Sequence, residues 1–312
     1  MIVAVLPERF RSLLEDRLPA GIEPLWWSRP DDLEALAHEA QIGWFDLFEK
    51  APALRALESA SGLQWLNSAF AGVDWLPLDD LAARQVTVTN GSGINAATVA
   101  EFTILGMLAI ARDYRAIVHA QDRHEWLQGQ REIRELGGGR ALVLGYGAIG
   151  KRIGSLLEAF GIEVVPVRSQ SGEGVLGPDE WRDQLGTFDW VILTLPATEN
   201  TRSMVGASEL AAMKPGSVLV NVGRAECVDQ TALADALARQ RPAAALLDLT
   251  DPEPLPPGHA LWSLDNVHIT MHQAGMPNPA TRHRAADRFL ANCERFTRGE
   301  PLEARVDLSR GY

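Results

Sequence analysis

The chain has 312 residues and a mass of 34.0 kDa, and 46% of its residues are hydrophobic and 22% charged. These values exclude a disordered chain, a collagen-like fibre and a small disulfide-stapled fold, and the length predicts about two domains. The net charge of −12 argues against a nucleic-acid partner or an anionic membrane surface. Cysteine is limited to Cys227 and Cys293, which favours a reducing, cytoplasmic location.

The sequence predicts neither a signal peptide nor a membrane-spanning helix. Its apolar start, Met1 to Leu6, ends at Pro7 and Glu8 without a basic leader, so a first β-strand is the better interpretation. The most apolar later run, residues 102–111, is well short of the ~20 residues that span a bilayer. We therefore expect no membrane contact.

Short apolar strands alternate with a helical pattern in the first hundred residues. A helix is predicted over Pro30–Ala40, and a second, apolar on several faces, runs from about Ala97 to beyond Ala111. Strands alternating with helices are typical of a parallel α/β sheet. The predicted strands are Ile2–Leu6, Ile42–Phe45, Leu63–Ser68 and Val86–Thr89.

A glycine motif follows the apolar strand Ala141–Leu144. It reads Gly145-Tyr146-Gly147-Ala148-Ile149-Gly150 and is followed by an amphipathic helix to about Phe160 and a strand over Glu163–Val167. The first glycine permits a tight turn, the second lets a pyrophosphate approach the backbone, and the third lets helix and strand pack closely. The N–H groups at the helix start then hold the anion. The sequence predicts a dinucleotide site here rather than a ligand-free turn.

The residues after the second strand indicate which dinucleotide binds. NAD sites usually place an acidic residue there, whereas this chain has Arg168, Ser169, Gln170 and Ser171. A guanidinium favours a 2′-phosphate, and the two serines add hydrogen-bond donors. We predict a preference for NADP(H), with NAD(H) left possible; the alternative for Arg168 is a solvated surface side chain.

Two further polar residues follow predicted strands. Arg224 comes after Ser217–Asn221, and His272 comes after Val267–Thr270. Ligand loops of such sheets lie at the carboxyl ends of the strands. An arginine there can hold the carboxylate of a 2-oxo acid and polarise its carbonyl, and a histidine can deliver a proton near neutral pH. Taken alone, Arg224 is better explained as a surface side chain in a turn, and a lone histidine is more often structural.

Six motifs occur in one order along nearly the whole chain. The motifs are Ala71-Gly-Val-Asp74, Asn95-Ala-Ala-Thr-Val-Ala-Glu101, the glycine motif, Asn221-Val-Gly-Arg224, Glu253-Pro-Leu-Pro256 and Thr270-Met-His-Gln-Ala-Gly275. Together they resemble the D-isomer-specific 2-hydroxyacid dehydrogenase family, and within it the glyoxylate/hydroxypyruvate reductases.

The resemblance implies the fold and the reaction. The fold is two Rossmann-like, doubly wound α/β domains with a cleft between them. Residues 1–95 and 280–312 form the substrate domain, and residues 96–279 form the dinucleotide domain. The reaction is reduction of a small 2-oxo acid by NADPH: Arg224 anchors the substrate, His272 donates the proton, and Glu253 orients the imidazole and keeps it in its acid form.

The resemblance also assigns binding residues. Backbone N–H groups of the loop containing Ala71 and Gly72 hold the substrate carboxylate. Trp44 lies either beside the substrate or in the core, and these two readings stay open. The assigned cofactor contacts are Ile149 within the glycine motif, Pro196 beneath the adenosine, Val222 beside the nicotinamide and Asp248 at its carboxamide. No metal site is expected.

Partners and rival functions follow from the same resemblance. A homodimer is implied, with the long apolar helix from about residue 97 at its interface. The rivals are a phosphoglycerate-dehydrogenase-like NAD enzyme and a non-catalytic protein that senses dinucleotides. Three positions depart from the family pattern: Ala225 replaces a glycine, Met271 replaces a proline, and Gln273 occupies a variable position; the last two put substrate choice in doubt.

Overall fold

In a computed structural model, which describes residues 1–129 and 133–309, the chain forms two compact units. Unit 1 contains residues 1–95 and the segment from Pro277 onward, and unit 2 contains residues 96–276. Each unit is built on one sheet whose strands are all parallel. The predicted fold class of two parallel-sheet α/β domains is therefore confirmed.

Strands and helices are numbered in chain order. The strands are β1 (Ile2–Pro7), β2 (Ile22–Trp27), β3 (Ile42–Trp44), β4 (Trp65–Asn67), β5 (Thr87–Thr89), β6 (Arg140–Leu144), β7 (Glu163–Val167), β8 (Trp190–Leu193), β9 (Val218–Asn221), β10 (Ala244–Leu247) and β11 (Val267–Ile269). The helices are α1 (Arg11–Leu14), α2 (Pro30–Leu36), α3 (Lys50–Ser59), α4 (Leu78–Ala83), α5 (Ala96–Ala111), α6 (Tyr114–Asp122), α7 (Ala148–Ala159), α8 (Ala207–Ala212), α9 (Gln230–Ala238) and α10 (Pro279–Thr297).

The sheet of unit 1 has the strand order β2-β1-β3-β4-β5. The chain reverses its direction across the sheet between β1 and β3, and such a switch point leaves a crevice at the carboxyl ends of the strands. Strand β2 was not predicted, because Pro24 interrupts its pattern. Proline is tolerated here because β2 is an edge strand.

Unit 1 packs apolar side chains on both faces of its sheet. Val5 points into one cluster, while Ala4 and Leu6 point into the other. The second cluster contains an aromatic chain in which Trp44 and Trp65 each lie 5.1 Å, between ring centroids, from Phe289 of α10. Helix α10 thus belongs to the core of unit 1.

The sheet of unit 2 has the strand order β11-β10-β9-β8-β6-β7, with its switch point between β6 and β8. Alternate residues of β6 enter opposite apolar clusters, so both faces are covered by helices. Helix α5 packs on one of these faces. A Cβ atom on Gly106 would approach Leu246 of β10 to 2.4 Å, so the helix lies directly against the strand.

Several predicted boundaries differ from the structure. The predicted helix over residues 30–40 ends as an α-helix at Leu36 and continues as a 3-10 turn, Ala37–Glu39. The predicted strand over residues 63–68 is limited to Trp65–Asn67. Both cysteines are buried free thiols. Among the residues described, no helix combines the length and apolarity needed to cross a membrane.

Candidate active site

The glycine motif forms the turn between β6 and α7. Gly145 has φ +94°, and the N–H groups of Gly145 and Tyr146 both donate to the carbonyl of Val167, at 3.1 and 3.0 Å. A Cβ on Gly147 would meet nothing within 4 Å, so open space lies over the backbone there. A Cβ on Gly150 would lie 2.5 Å from the Gly145 carbonyl oxygen, so this position requires glycine.

The start of α7 fits a dinucleotide pyrophosphate. No side chain caps the helix at Gly147. The N–H groups of Ala148, Ile149 and Gly150 belong to the first helical turn, which has no acceptor within its own helix. Uncapped N–H groups and the helix dipole together favour an anion at this position, beside the open space over Gly147.

Arg168 follows β7 directly, one residue beyond the carbonyl that holds the glycine motif. Its backbone N–H donates to Leu176 at 3.0 Å, while its side chain and that of Ser169 are exposed. A short turn closed by hydrogen bonds between Gly172 and Val175 supports this segment. The exposed Arg168 guanidinium therefore belongs to a hydrogen-bonded segment, at the position where the ribose of a dinucleotide is expected.

Arg224 lies in a tight turn after β9. Buried Asn221 holds this turn by accepting from the N–H of Gly223 at 3.1 Å and donating to the carbonyl of Arg224 at 2.9 Å. The Arg224 side chain is half-buried and donates to the Gly223 carbonyl at 3.0 Å. Ala225 begins a 3-10 turn and does not have a positive φ, so the backbone conformation at this position does not require glycine.

His272 and Glu253 are two predicted catalytic residues whose side chains the structure brings into contact. Nδ1 of His272 lies 2.7 Å from Oε1 of Glu253, and the two side chains are 51% and 44% exposed. A carboxylate accepts only, so Nδ1 carries the hydrogen and Nε2 is left to face a ligand. Glu253 follows β10 and His272 follows β11, which are neighbouring strands.

Asp248 fastens the loop that carries His272. Its Oδ1 accepts from the Thr270 hydroxyl at 2.6 Å and from the N–H of Ala274 at 3.2 Å, and its carbonyl accepts from the N–H of His272 at 2.6 Å. The residue is buried, and this burial raises the pKa of Asp248, an effect that the Thr270 and Ala274 donors oppose. The family resemblance assigned Asp248 to the nicotinamide, and this fastening role was not predicted.

The His272 loop adopts an unusual backbone conformation. Met271 and His272 have φ values of +53° and +59°, both in the left-handed region. Proline is fixed near φ −65°, so the proline that is usual in the family does not fit at Met271 in this loop. The replacement of this proline by Met271 is therefore compatible with the left-handed backbone at this position.

The remaining predicted cofactor residues lie near the same sheet edge. The hydroxyl of Thr194, after β8, bonds to the Gly145 carbonyl and ties that segment to the glycine motif. Pro196 is exposed two residues later, whereas Val222 is buried in the core. Val222 therefore presents little side-chain surface to a ligand.

In unit 1 the structure favours one of the two readings of Trp44 and adds a residue. Trp44 is fully buried against Phe10 and Phe289, so its side chain packs in the core rather than beside a substrate. Its indole N–H instead donates to Asp46 at 2.8 Å. Ala71 is exposed and Gly72 half-buried, so their backbone is accessible. Asp46 was missed, although a carboxylate directly after a buried strand was a visible signal.

Comparison with known proteins identifies the family. Residues 104–274 match the family model described as D-isomer specific 2-hydroxyacid dehydrogenase, NAD binding domain. A glyoxylate reductase from Aeropyrum pernix is 33% identical over 82% of this chain and 77% of its own length. A D-3-phosphoglycerate dehydrogenase from Methanocaldococcus jannaschii is 30% identical over 81% of this chain, but the match spans only 49% of that enzyme.

Solved structures agree with this fold. A D-isomer specific 2-hydroxyacid dehydrogenase family protein from Aeromonas salmonicida superposes with a TM-score of 0.86 at 29% identity, covering 98% of this chain and 99% of its own. An NADPH-dependent glyoxylate/hydroxypyruvate reductase from Sinorhizobium meliloti, in complex with NADP and malonate, gives 0.79 at 25% identity, covering 99% and 98%. The chain belongs to the D-isomer specific 2-hydroxyacid dehydrogenase family and is an NAD(P)-dependent oxidoreductase.

Proposed function

We propose that this enzyme reduces a small 2-oxo acid, such as glyoxylate or hydroxypyruvate, to the 2-hydroxy acid with NADPH. The observation that carries the proposal is the 2.7 Å contact between His272 and Glu253 at the sheet edge that also bears Arg224. An acid–base pair beside a cation suits a substrate with a carboxylate and a neighbouring carbonyl. Similarity to glyoxylate reductases supports the substrate class.

The three side chains then have different roles in the reaction. Arg224 binds the substrate carboxylate and polarises the C2 carbonyl. His272 donates the proton on Nε2 to the C2 oxygen, while Glu253 accepts from Nδ1 and stabilises the imidazolium before transfer. Backbone N–H groups of Ala71 and Gly72 also bind the carboxylate. The bound dinucleotide supplies the hydride.

NADPH is proposed over NADH because of Arg168. The exposed guanidinium follows β7 where an acidic residue would bond a 2′-hydroxyl, and Ser169 is exposed beside it. The Sinorhizobium meliloti relative, crystallised with NADP, supports the same choice. The phosphoglycerate-dehydrogenase-like alternative predicts NADH instead, and a non-catalytic sensor predicts binding without turnover.

A second copy of the chain is the proposed partner. Large apolar side chains are exposed on α5, on α6 and in the segment that follows: Leu105, Tyr114, Ile117, Trp126 and Ile133. Their exposure on consecutive segments of the chain supports an interaction site in this region. The homodimer implied by the family resemblance fits this surface.

Initial rates with NADPH and NADH test the proposed activity, using glyoxylate, hydroxypyruvate, pyruvate and phenylpyruvate. We expect the highest kcat/KM with NADPH and a two- or three-carbon acid. Arg168→Ala should lower kcat/KM for NADPH about tenfold or more, since a bond to a charged group is lost, with little effect on NADH. Arg239→Ala, an exposed arginine after α9, is the control. Equal efficiency of the wild-type enzyme with NADH would refute the NADPH preference.

Glu253→Gln tests the acid–base pair. The amide oxygen still accepts from Nδ1, so the tautomer is kept, but the charge that stabilises the imidazolium is lost. We expect kcat to fall about fivefold with the Kd for NADPH unchanged, because a half-exposed charge pair contributes up to about 1 kcal/mol. Asp251→Asn, in the same loop, should leave kcat unchanged. Equal kcat values for Glu253→Gln and the wild type would contradict the assigned role.

Met271→Pro tests the backbone of the His272 loop. Proline cannot adopt φ +53°, so this substitution should displace His272. We expect kcat to fall about 100-fold, because misplacement of a reacting group by about 1 Å lowers a rate by about that factor. Dinucleotide affinity should not change. Met271→Asn is the matched variant, because asparagine tolerates positive φ and should retain most activity. Full activity of Met271→Pro would show that this conformation is dispensable.

Light scattering coupled to size-exclusion chromatography tests the partner. The wild-type chain should elute as a dimer of about 68 kDa, twice the chain mass of 34.0 kDa. Leu105→Arg should raise the dimer dissociation constant at least about tenfold by placing a charge in the apolar surface. Glu58→Arg, an exposed change on α3, is the control. A monomeric wild-type chain would refute the homodimer.

A further inference from the structure

The crevice at the switch point of unit 1 contains a buried carboxylate that the proposed chemistry does not use. Asp46 follows β3 and is 2% exposed. An ionised carboxylate is costly to bury unless its oxygens accept hydrogen bonds. The hydrogen-bond donors to Asp46 therefore show which segments of the chain this side chain connects.

Asp46 binds the start of the loop that follows β4. Its Oδ1 accepts from the Ser68 hydroxyl at 2.7 Å, and its Oδ2 accepts from the N–H of Ala69 at 2.6 Å and from the indole N–H of Trp44 at 2.8 Å. Two of these three donors are N–H groups that cannot act as acceptors. The side chain thus connects the loop after β3 to the loop after β4.

Ser68 extends this connection along the loop. Its hydroxyl oxygen also accepts from the N–H of Phe70 at 3.1 Å. From the other side, Gly91 donates to the Phe70 carbonyl at 2.8 Å, and Asn90 donates to the Ala71 carbonyl at 2.8 Å. The segment from Ser68 to Ala71 is therefore held on both sides.

Two cations lie near Asp46. Arg9, after β1, donates to the Asp46 carbonyl at 2.8 Å, and Lys50 lies over the rings of Phe70 and Trp75 at 4.1 and 4.6 Å. Burial raises the pKa of Asp46, whereas its three donors and Arg9 act in the opposite direction. The hydrogen bonds therefore hold the Asp46 side chain in one position between the two loops.

We infer that Asp46 is a positioning residue that sets the backbone of the Ala71–Gly72 loop for the substrate carboxylate. The inference rests on the proposed function, which gives that backbone its ligand. Asp46 does not touch the substrate. It acts through Ser68 and Ala69, and its loss should weaken substrate binding while leaving proton donation by His272 intact.

The test measures KM and kcat for glyoxylate, or for the best substrate of the panel, together with Ki for oxamate and Kd for NADPH. Asp46→Ala should raise KM and the oxamate Ki about tenfold or more, with kcat changed less than about threefold and NADPH Kd unchanged. Asp46→Asn should stay within about threefold of wild type, because its amide oxygen still accepts from Ala69 and Trp44. Asp79→Ala, an exposed carboxylate on α4, is the control.

Ser68→Ala provides a milder variant if Asp46→Ala does not fold, and it should raise KM and Ki in parallel. Unchanged KM and Ki in these variants would overturn the inference alone. The inference would also be overturned if kcat and the amount of NADPH bound both fell in proportion to the loss of folded protein. That result would show a purely structural role for Asp46. Absence of 2-oxo acid turnover by the wild-type enzyme would overturn the proposed function and this inference together.

Discussion

Parallel pairing of β9, β10 and β11 is the constraint on which the candidate site depends. Each strand pairs in register with the next, so the carboxyl ends of all three lie along one edge. Arg224, Glu253 and His272 follow these strands and are brought to this edge although 48 residues separate the first from the last. A cation, a carboxylate and an imidazole can then act on one small ligand, because the sheet has already fixed their backbones.

Sequence patterns predict this part of the molecule well because strand, glycine turn and helix are local features. Gly145 and Gly150 occupy positions where a left-handed backbone or a close approach to a carbonyl leaves no alternative. The contact between Glu253 and His272 was implied by family resemblance and could not be derived from spacing, because it joins two loops. Its 2.7 Å distance is information that the fold adds.

The sequence left the role of a residue open where burial decides it. Trp44 lies at a strand end, so a substrate contact and core packing were both compatible with the sequence, and in the structure its ring packs between Phe10 and Phe289. Phe289 lies on α10, which reaches the core of unit 1 from the far end of the sequence, so no local pattern reveals the contact. Strand β2 was missed for a related reason: Pro24 is unfavourable in a central strand, and only the sheet order shows that β2 is at an edge.

In both sheets a buried aspartate fixes the loop that follows a neighbouring strand. Asp46 follows β3 and holds the loop after neighbouring β4; Asp248 follows β10 and holds the loop after neighbouring β11. Each buried carboxylate accepts from one hydroxyl and one backbone N–H of that loop, which come from Ser68 and Ala69 in unit 1 and from Thr270 and Ala274 in unit 2.

This arrangement keeps two carboxylates of a chain with a net charge of −12 away from solvent. Their oxygens accept hydrogen bonds from neighbouring side chains and backbone N–H groups instead of facing water. In unit 2, Arg224 follows β9, the neighbour of the strand that Asp248 follows, so a cation lies at the same sheet edge. Removing either aspartate therefore releases a loop rather than simply removing a negative charge, since a buried hydrogen-bond donor left without its acceptor carries its full desolvation cost.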